Sequence, residues 1–148
     1  YKQELRDLVA QLQVEEHVEI LPAVKMEEVP VVLASADMGI YPAFPDPHMD
    51  IAIPTKVLEF TVMGLPVIAS RLKVIEQLFE HGKAYIFPPG DHEAFATILG
   101  RCLRDQCLLD ELVAYNDEHL LPAWNWAVER EHYYDLLQEL AGSRWRRK

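Results

Sequence analysis

The chain has few of the features that assign a protein to an easily recognised class. Its 148 residues include 14 Lys and Arg against 24 Asp and Glu, for a formal net charge of −10. Proteins that bind nucleic acid usually carry a basic face, so that function is disfavoured. No apolar run approaches the ~20 residues of a membrane span, and no signal peptide is recognisable. These absences favour a cytoplasmic protein with one hydrophobic core.

Cysteine is also scarce, and no metal-binding pattern stands out. Cys102 and Cys107 fall in a predicted helical region, and their spacing matches neither a metal motif nor a redox motif. They are interpreted as two partly buried thiols in a reducing compartment. The segment Asp46-Pro47-His48-Met49-Asp50 alternates Asp, His and Asp but offers no fourth ligand. A solvated acidic loop without a metal is therefore expected.

Short apolar segments alternate with amphipathic ones along the chain, which is typical of βαβ units. Strands are predicted at 18–21, 37–42, 66–70 and 84–87, and the strand at 37–42 is apolar enough to be buried on both faces of the sheet. Helices are predicted at 2–13, 27–34, 54–63, 74–79, 91–103 and 108–120, followed by one that Asn125 caps and Gly142 ends. The pattern predicts an α/β fold, a doubly wound (Rossmann-like) parallel sheet of four strands with helices on both faces. The pairing of 18–21 is left open.

The most informative stretch runs from Ile53 to Ser70. Pro54 suits the first position of a helix, whose free N–H groups favour an anion. Lys56 adds a positive charge there, and Glu59 lies one turn further in, where a carboxylate can accept hydroxyl hydrogen bonds. Gly64 and Pro66 end the helix before an apolar strand. The stretch reads Ile53-Pro54-Thr55-Lys56-Val57-Leu58-Glu59-Phe60, then Met63-Gly64-Leu65-Pro66-Val67-Ile68-Ala69-Ser70.

This stretch resembles the donor-site signature of the group 1 family of GT-B-fold glycosyltransferases. Glu59 and the segment from Gly64 to Ser70 match the family's glutamate and its following Gly-x-Pro-Val-x-Ala-Ser strand. The resemblance extends in order from about Tyr1 to Leu140. It implies that residues 1–140 are part of a nucleotide-sugar-binding domain and that 141–148 are a basic C-terminal tail. The family's two opening strands and its acceptor domain are not recognisable, so an interior fragment is expected.

The resemblance implies roles for several residues at the carboxyl ends of the strands, where doubly wound sheets bind ligands. Glu59 would hold the ribose of a nucleotide-sugar; the alternative from the residues alone is a surface pair with Lys56 one turn away. Lys56, Thr55 and Pro54 would face the diphosphate, with Thr55 alternatively a plain N-cap. The backbone of Ala23 and Val24 would meet the nucleobase.

The sequence departs from the family pattern in one place. Many members carry a second glutamate eight positions before the one matched by Glu59, but this chain has Ile51 there. Asp50 could replace it if the loop shifts by one residue. The main phosphate-binding Arg and Lys of the family also belong to the segment not recognised here.

The implied reaction is transfer of a sugar from a nucleotide-sugar to an acceptor hydroxyl with retention of configuration, and no cofactor is expected. A saccharide or lipid-linked acceptor would be bound by the N-terminal domain, so this chain alone is expected to be inactive. One alternative is a nucleotide-sugar epimerase of the same fold. Another is a non-catalytic receiver-like interaction domain. The basic tail, Arg144-Trp145-Arg146-Arg147-Lys148, could touch an acidic membrane surface.

Overall fold

A computed structural model describes residues 1–49, 51–80 and 82–141 of the chain. Asp50, the predicted helix stop at Gly142 and the basic tail from Arg144 onward lie outside the described residues. The chain divides into two compact units, Tyr1–Val32 and Leu33–Lys148.

The first unit is mostly helical and carries its apolar side chains near the surface. Helix α1 spans Lys2–Gln11, and a 3₁₀ turn at Met26–Glu28 leads into α2 at Val29–Leu33. The strand predicted at 18–21 does not form, and this correction has a physical reason. A strand is stabilised by hydrogen bonds to a neighbour, and among the described residues this segment has no ladder partner.

The second unit contains the sheet. Strands β1 (Gly39–Tyr41), β2 (Val67–Ser70) and β3 (Tyr85–Phe87) pair in parallel in the order β1-β2-β3. The described residues therefore form three strands rather than the predicted four. The helices of this unit are α3 Thr55–Val62, α4 Lys73–Leu78, α5 His92–Cys102, α6 Gln106–His119 and α7 Trp126–Ala141.

Helices cover both faces of the sheet, as the doubly wound prediction requires. All four residues of β2 are buried, and its three apolar residues alternate between two separate apolar clusters. Val67 and Ala69 pack with residues of α3 and α4, whereas Ile68 packs with Cys102 of α5 and Leu109 of α6. The core thus lies above and below the central strand.

Strand β1 lies at the edge of this sheet, with β2 as its hydrogen-bonded neighbour in the described residues. The sequence predicted a strand buried on both faces, but Ile40 is 36% exposed and Tyr41 is half-buried. Strand β1 is apolar, as the sequence indicated, but the described elements include no second strand that pairs with it.

Side-chain caps fix two helix starts that the sequence predicted. The Asp91 carboxylate accepts the N–H of Ala94 at 2.9 Å, and the side-chain amide oxygen of Asn125 accepts the N–H of Ala127 at 3.0 Å.

The exposed side of α7 carries large apolar residues, including Trp126 and Leu140. In the described part of the chain, no helix combines the length and apolarity needed to cross a membrane.

Candidate functional site

The carboxyl ends of β1, β2 and β3 meet at one edge of the sheet because the strands are parallel. The backbone continues from them into 42–54, 71–72 and 88–90. The N–H of Arg71 donates to the carbonyl of Phe87 at 2.8 Å, which extends the pairing of β2 and β3 by one residue. Helix α3 begins at this same edge, since it must run back antiparallel to the strands to connect β1 to β2. This edge is where ligands bind in such folds.

The start of α3 has no side-chain cap. Pro54 is the N-cap residue and Thr55 the first helical residue, so the predicted helix start at Pro54 shifts by one position. Thr55 therefore is not the N-cap. No side-chain hydrogen bond closes this end of the helix. The N–H of Val57 donates to the Pro54 carbonyl at 3.0 Å, so the N–H groups of Thr55 and Lys56 are the ones left for solvent or an anion.

Lys56 and Glu59 lie on the outward face of α3. The buried side of the helix is formed by Val57 and Thr61, one turn apart, and the Thr61 hydroxyl donates to the Val57 carbonyl at 2.9 Å. Lys56 and Glu59, three residues apart, share the exposed side. No ion pair joins them within the described ranges, so the alternative of a surface Lys56–Glu59 pair is not formed.

The height of α3 over the sheet is set by Gly39 at the start of β1. A side chain on Gly39 would collide with the ring of Phe60, which lies directly against it. Helix α3 consequently packs closely on β1 and β2, with Val57 fully buried between them. At the other end of α3, Gly64 adopts a positive φ of 70° and ends the helix as predicted.

The loop between β1 and α3 is folded rather than extended. One Asp46 carboxylate oxygen accepts the N–H groups of His48 and Met49, at 2.7 and 2.9 Å. The Tyr41 hydroxyl donates to the Met49 sulfur at 3.5 Å and brings the loop back onto the end of β1. Across residues 1–49, 51–80 and 82–141, no group of three or more His, Cys, Asp or Glu could hold a metal ion.

The structure places the predicted site residues in different elements. Pro54, Thr55, Lys56 and Glu59 are brought together at the start of α3. Ala23 and Val24 are exposed residues of an irregular segment in the first unit. Asp50 lies outside the described residues, so its replacement of the second family glutamate stays a prediction.

Two residues at this edge were not selected from the sequence. Arg71 follows β2 directly, and its guanidinium lies 3.7 Å from the Glu76 carboxylate. Phe44 follows β1, is 70% exposed, and lies against Gly90 in the loop after β3. Both lie just beyond the carboxyl end of an apolar strand, which was a signal that could have identified them.

Comparison with known proteins identifies the family. The model described as "Glycosyl transferases group 1" matches residues 1–105. The chain belongs to the group 1 glycosyltransferases. This membership agrees with the resemblance found in the sequence and disfavours the receiver-like alternative.

Two curated relatives of this group 1 chain are glycosyltransferases, and their sequence identities to the chain are similar. It is 27% identical over 143 residues to the putative colanic acid biosynthesis glycosyltransferase WcaL of Salmonella typhimurium, covering 95% of this chain and 35% of the relative. It is 26% identical over 140 residues to the amylovoran biosynthesis glycosyltransferase AmsK of Erwinia amylovora, covering 93% and 34%. The chain thus spans about a third of the length of these relatives.

A solved structure supports the fold of this group 1 chain. Sucrose-phosphate synthase from Thermosynechococcus elongatus superposes with a TM-score of 0.77 at 22% identity, over 93% of this chain and 34% of that one. The match shows the architecture, an α/β doubly wound domain of the GT-B type.

Proposed function

We propose that this chain binds the nucleotide-sugar donor of a retaining glycosyltransferase, which passes the sugar to an acceptor hydroxyl. The observation that carries the proposal is the state of Glu59. This carboxylate is exposed, has no ion-pair or hydrogen-bond partner among the described residues, and lies one turn from an uncapped helix start. A ligand that combines an anion with neighbouring hydroxyl groups fits both features.

The diphosphate of the donor would lie in front of α3. Unpaired N–H groups and the positive end of the helix dipole attract an anion there, and Lys56 adds a full charge. The same groups would stabilise the negative charge that grows on the departing diphosphate during transfer. On this proposal the diphosphate needs no bound metal ion and the chain needs no cofactor.

The ribose of the donor would lie over Glu59. An ionised carboxylate has two oxygens that only accept hydrogen bonds, so it can receive both ribose hydroxyl groups. Hydrogen bonds that involve a charged partner are worth about 1.5–3 kcal/mol each. Glu59 would therefore supply a large part of the affinity for the nucleotide.

The acceptor would be bound elsewhere in a longer protein. This chain spans about a third of the length of its curated relatives, which by name are glycosyltransferases of colanic acid and amylovoran biosynthesis. We propose that the remaining length provides the site for a saccharide or lipid-linked acceptor. The 148-residue chain alone is then expected to bind donor without transferring sugar.

The test is a titration of the 148-residue chain with UDP, GDP and ADP, with binding measured by calorimetry or NMR. One nucleotide is expected to bind, and Glu59→Ala should weaken it by about tenfold or more. The 2′,3′-dideoxy form of that nucleotide provides the complementary change on the ligand. If Glu59 holds the ribose hydroxyls, Glu59→Ala should have little further effect on the dideoxy ligand.

Glu139→Gln on α7 is a matched control, because it neutralises another exposed helical glutamate. It should leave the affinity unchanged, whereas Glu59→Gln should reduce it. Failure of all three nucleotides to bind at millimolar concentration would refute the proposal. Equal effects of Glu59→Ala on the normal and dideoxy nucleotides would remove the ribose role and leave only a general electrostatic one.

A further inference from the structure

A cleft of about 320 Å³ lies beside β3, between that strand and α6. Lys83, the second residue before β3, lines it, so the cleft is at the amino end of the strand, whereas the donor is proposed at the carboxyl end. Small-molecule sites have volumes of about 300–1,000 Å³ and mostly apolar walls. Four large apolar residues line this cleft: Phe79 after α4, Ile86 in β3, and Leu108 and Leu112 in α6. The cleft can therefore hold a small ligand that has an apolar part.

Two opposite charges in this cleft do not meet. Lys83 and Glu111 both line it, but the Lys83 ammonium lies over the ring of Tyr115, 4.0 Å from its centroid. Glu111 and Tyr115 are four residues apart on α6, so they share one face of the helix about one turn apart. Within the described ranges neither charge has an ion-pair partner, and Glu111 receives only a long contact from the Cys107 thiol at 4.0 Å. The cleft thus holds a cation and a carboxylate that are kept apart.

The position of Lys83 is fixed through its backbone and not through its charge. The side-chain amide of the buried Asn116 accepts the Lys83 N–H at 2.7 Å and donates to the Lys83 carbonyl at 2.8 Å. These bonds set where the side chain leaves the main chain, and the Tyr115 ring then supports the ammonium group. Lys83 can therefore receive an anionic group without first breaking an ion pair.

The backbone of β3 adds a donor and an acceptor to the cleft. The Phe87 carbonyl accepts the N–H of Arg71 on the β2 side, and the polar groups of successive strand residues point in alternate directions. The N–H and C=O of Ile86, which lines the cleft, therefore point away from β2. On that side the described residues provide no further strand. A ligand in the cleft can meet this donor and this acceptor next to each other.

We propose that this cleft binds a free α-amino acid with an apolar side chain of the size of leucine or phenylalanine. The carboxylate would accept hydrogen bonds from Lys83 and from the Ile86 N–H, and the ammonium group would donate to Glu111 and to the Ile86 carbonyl. The apolar walls would cover the side chain. An internal residue of a peptide carries neither charge, so the two unpaired charges favour the free amino acid over an extended peptide.

The test begins with ligands that each lack one feature of leucine. Leucine and phenylalanine should bind to the 148-residue chain in calorimetric or NMR titrations, and glycine should bind about tenfold more weakly or not measurably. The compound 4-methylpentanoate is leucine without its ammonium group, and 3-methylbutylamine is leucine without its carboxylate. Each should bind about tenfold more weakly than leucine, and uncharged N-acetyl-leucinamide more weakly still.

Two variants assign the two charges separately. Lys83→Met keeps the hydrocarbon stem and the backbone bonds to Asn116. It should weaken leucine and 4-methylpentanoate by about tenfold and leave 3-methylbutylamine within about twofold. Glu111→Gln should do the opposite, because it removes the partner of the ammonium group: leucine and 3-methylbutylamine weaken, and 4-methylpentanoate does not.

Lys73→Met on α4 and Glu93→Gln on α5 are matched controls, because they make the same changes at exposed residues that do not line the cleft. Both should leave the affinity for leucine unchanged. The proposal is overturned if neither leucine nor phenylalanine binds at tens of millimolar, or if N-acetyl-leucinamide binds as tightly as leucine, which would indicate a peptide site. Equal losses of both partial ligands in each variant would also overturn it. No nucleotide takes part, so these outcomes are independent of the test of donor binding.

Discussion

The side chain of Asn116 makes a paired hydrogen bond with the backbone of Lys83. Its amide oxygen accepts the Lys83 N–H at 2.7 Å, and its amide nitrogen donates to the Lys83 carbonyl at 2.8 Å. The carboxamide thereby joins α6 to the segment that leads into β3. Asn116 is 2% exposed, so neither bond can be replaced by water without rearrangement.

Replacing Asn116 by Ala should destabilise the chain by about 2–3 kcal/mol, because it leaves both backbone groups of Lys83 without their partner. Urea unfolding monitored by circular dichroism measures this loss. Asn125→Ala removes an exposed helix cap instead and should cost only about 1 kcal/mol. Similar losses for the two variants would contradict the structural role assigned to Asn116.

Gly39→Ala should be among the most damaging small substitutions in the chain. The added methyl group would collide with the Phe60 ring and displace α3 from β1. A cost of about 3 kcal/mol or more is expected from this overpacking, measured as a fall in the unfolding midpoint.

Gly100→Ala is the control for the previous variant, since it makes the same chemical change inside α5. The nearest atom to the new methyl group there is the flexible end of Arg104, at 3.4 Å. This variant should raise stability by about 0.5–1 kcal/mol, because alanine is the better helix former. Opposite signs for the two glycines are the expected result.

Ser70→Ala should leave stability unchanged or raise it by about 1 kcal/mol. The Ser70 hydroxyl is 1% exposed and has no hydrogen-bond partner in the described chain, so its removal relieves an unpaired buried polar group. Thr61→Val provides the contrast, because the Thr61 hydroxyl is equally buried but bonded to Val57. A large loss in Ser70→Ala, measured by thermal unfolding, would show that this hydroxyl has a partner after all.

Stability should fall at alkaline pH because of one buried acid, Cys102, and one half-buried acid, Tyr85. Burial raises the pKa of the Cys102 thiol above its usual 9.0, and burial together with the nearby Cys102 raises the pKa of Tyr85 above its usual 10.0. The folded chain then retains protons that the unfolded chain releases. Stability is therefore complete below about pH 9 and decreases as pH rises through the raised folded-state pKa values.

Urea unfolding at pH 8, 9 and 10 tests this dependence. Each group contributes a slope of at most about 1.4 kcal/mol per pH unit where only the unfolded state has lost its proton. Cys102→Ala should flatten the fall above pH 9, whereas Cys107→Ala, which removes an exposed thiol, serves as the control. Constant stability of the wild-type chain from pH 8 to pH 10 would contradict the prediction.

The local parts of the fold could be predicted from the sequence. Asp91, Asn125 and Gly64 fixed helix ends through their own side chains or backbone freedom, and each does so in the structure. The apolar run at Val67–Ser70 correctly indicated a strand, and all four of its residues are buried. These signals depend on residues within a few positions of one another.

Features that depend on distant partners were harder to predict. The segment 18–21 has a strand-like composition but no ladder partner among the described residues, and β1 has the composition of a central strand but lies at an edge. Lys56 and Glu59 were predicted as site residues because they lie in one short motif. The contact between Phe44 and Gly90 joins two separate loops, and no local sequence pattern predicts it.

Among the described residues, β1 has a hydrogen-bonded neighbour on one side only, which has a practical consequence for handling the protein. Bonds in a parallel ladder alternate, so the amide and carbonyl of Ile40 point away from β2 while those of Gly39 and Tyr41 point toward it. An unguarded strand of this kind is a template onto which a neighbouring molecule can add. Concentrated samples are expected to aggregate slowly. Ile40→Lys should reduce this aggregation, because a charged side chain on an edge strand disfavours pairing with another molecule.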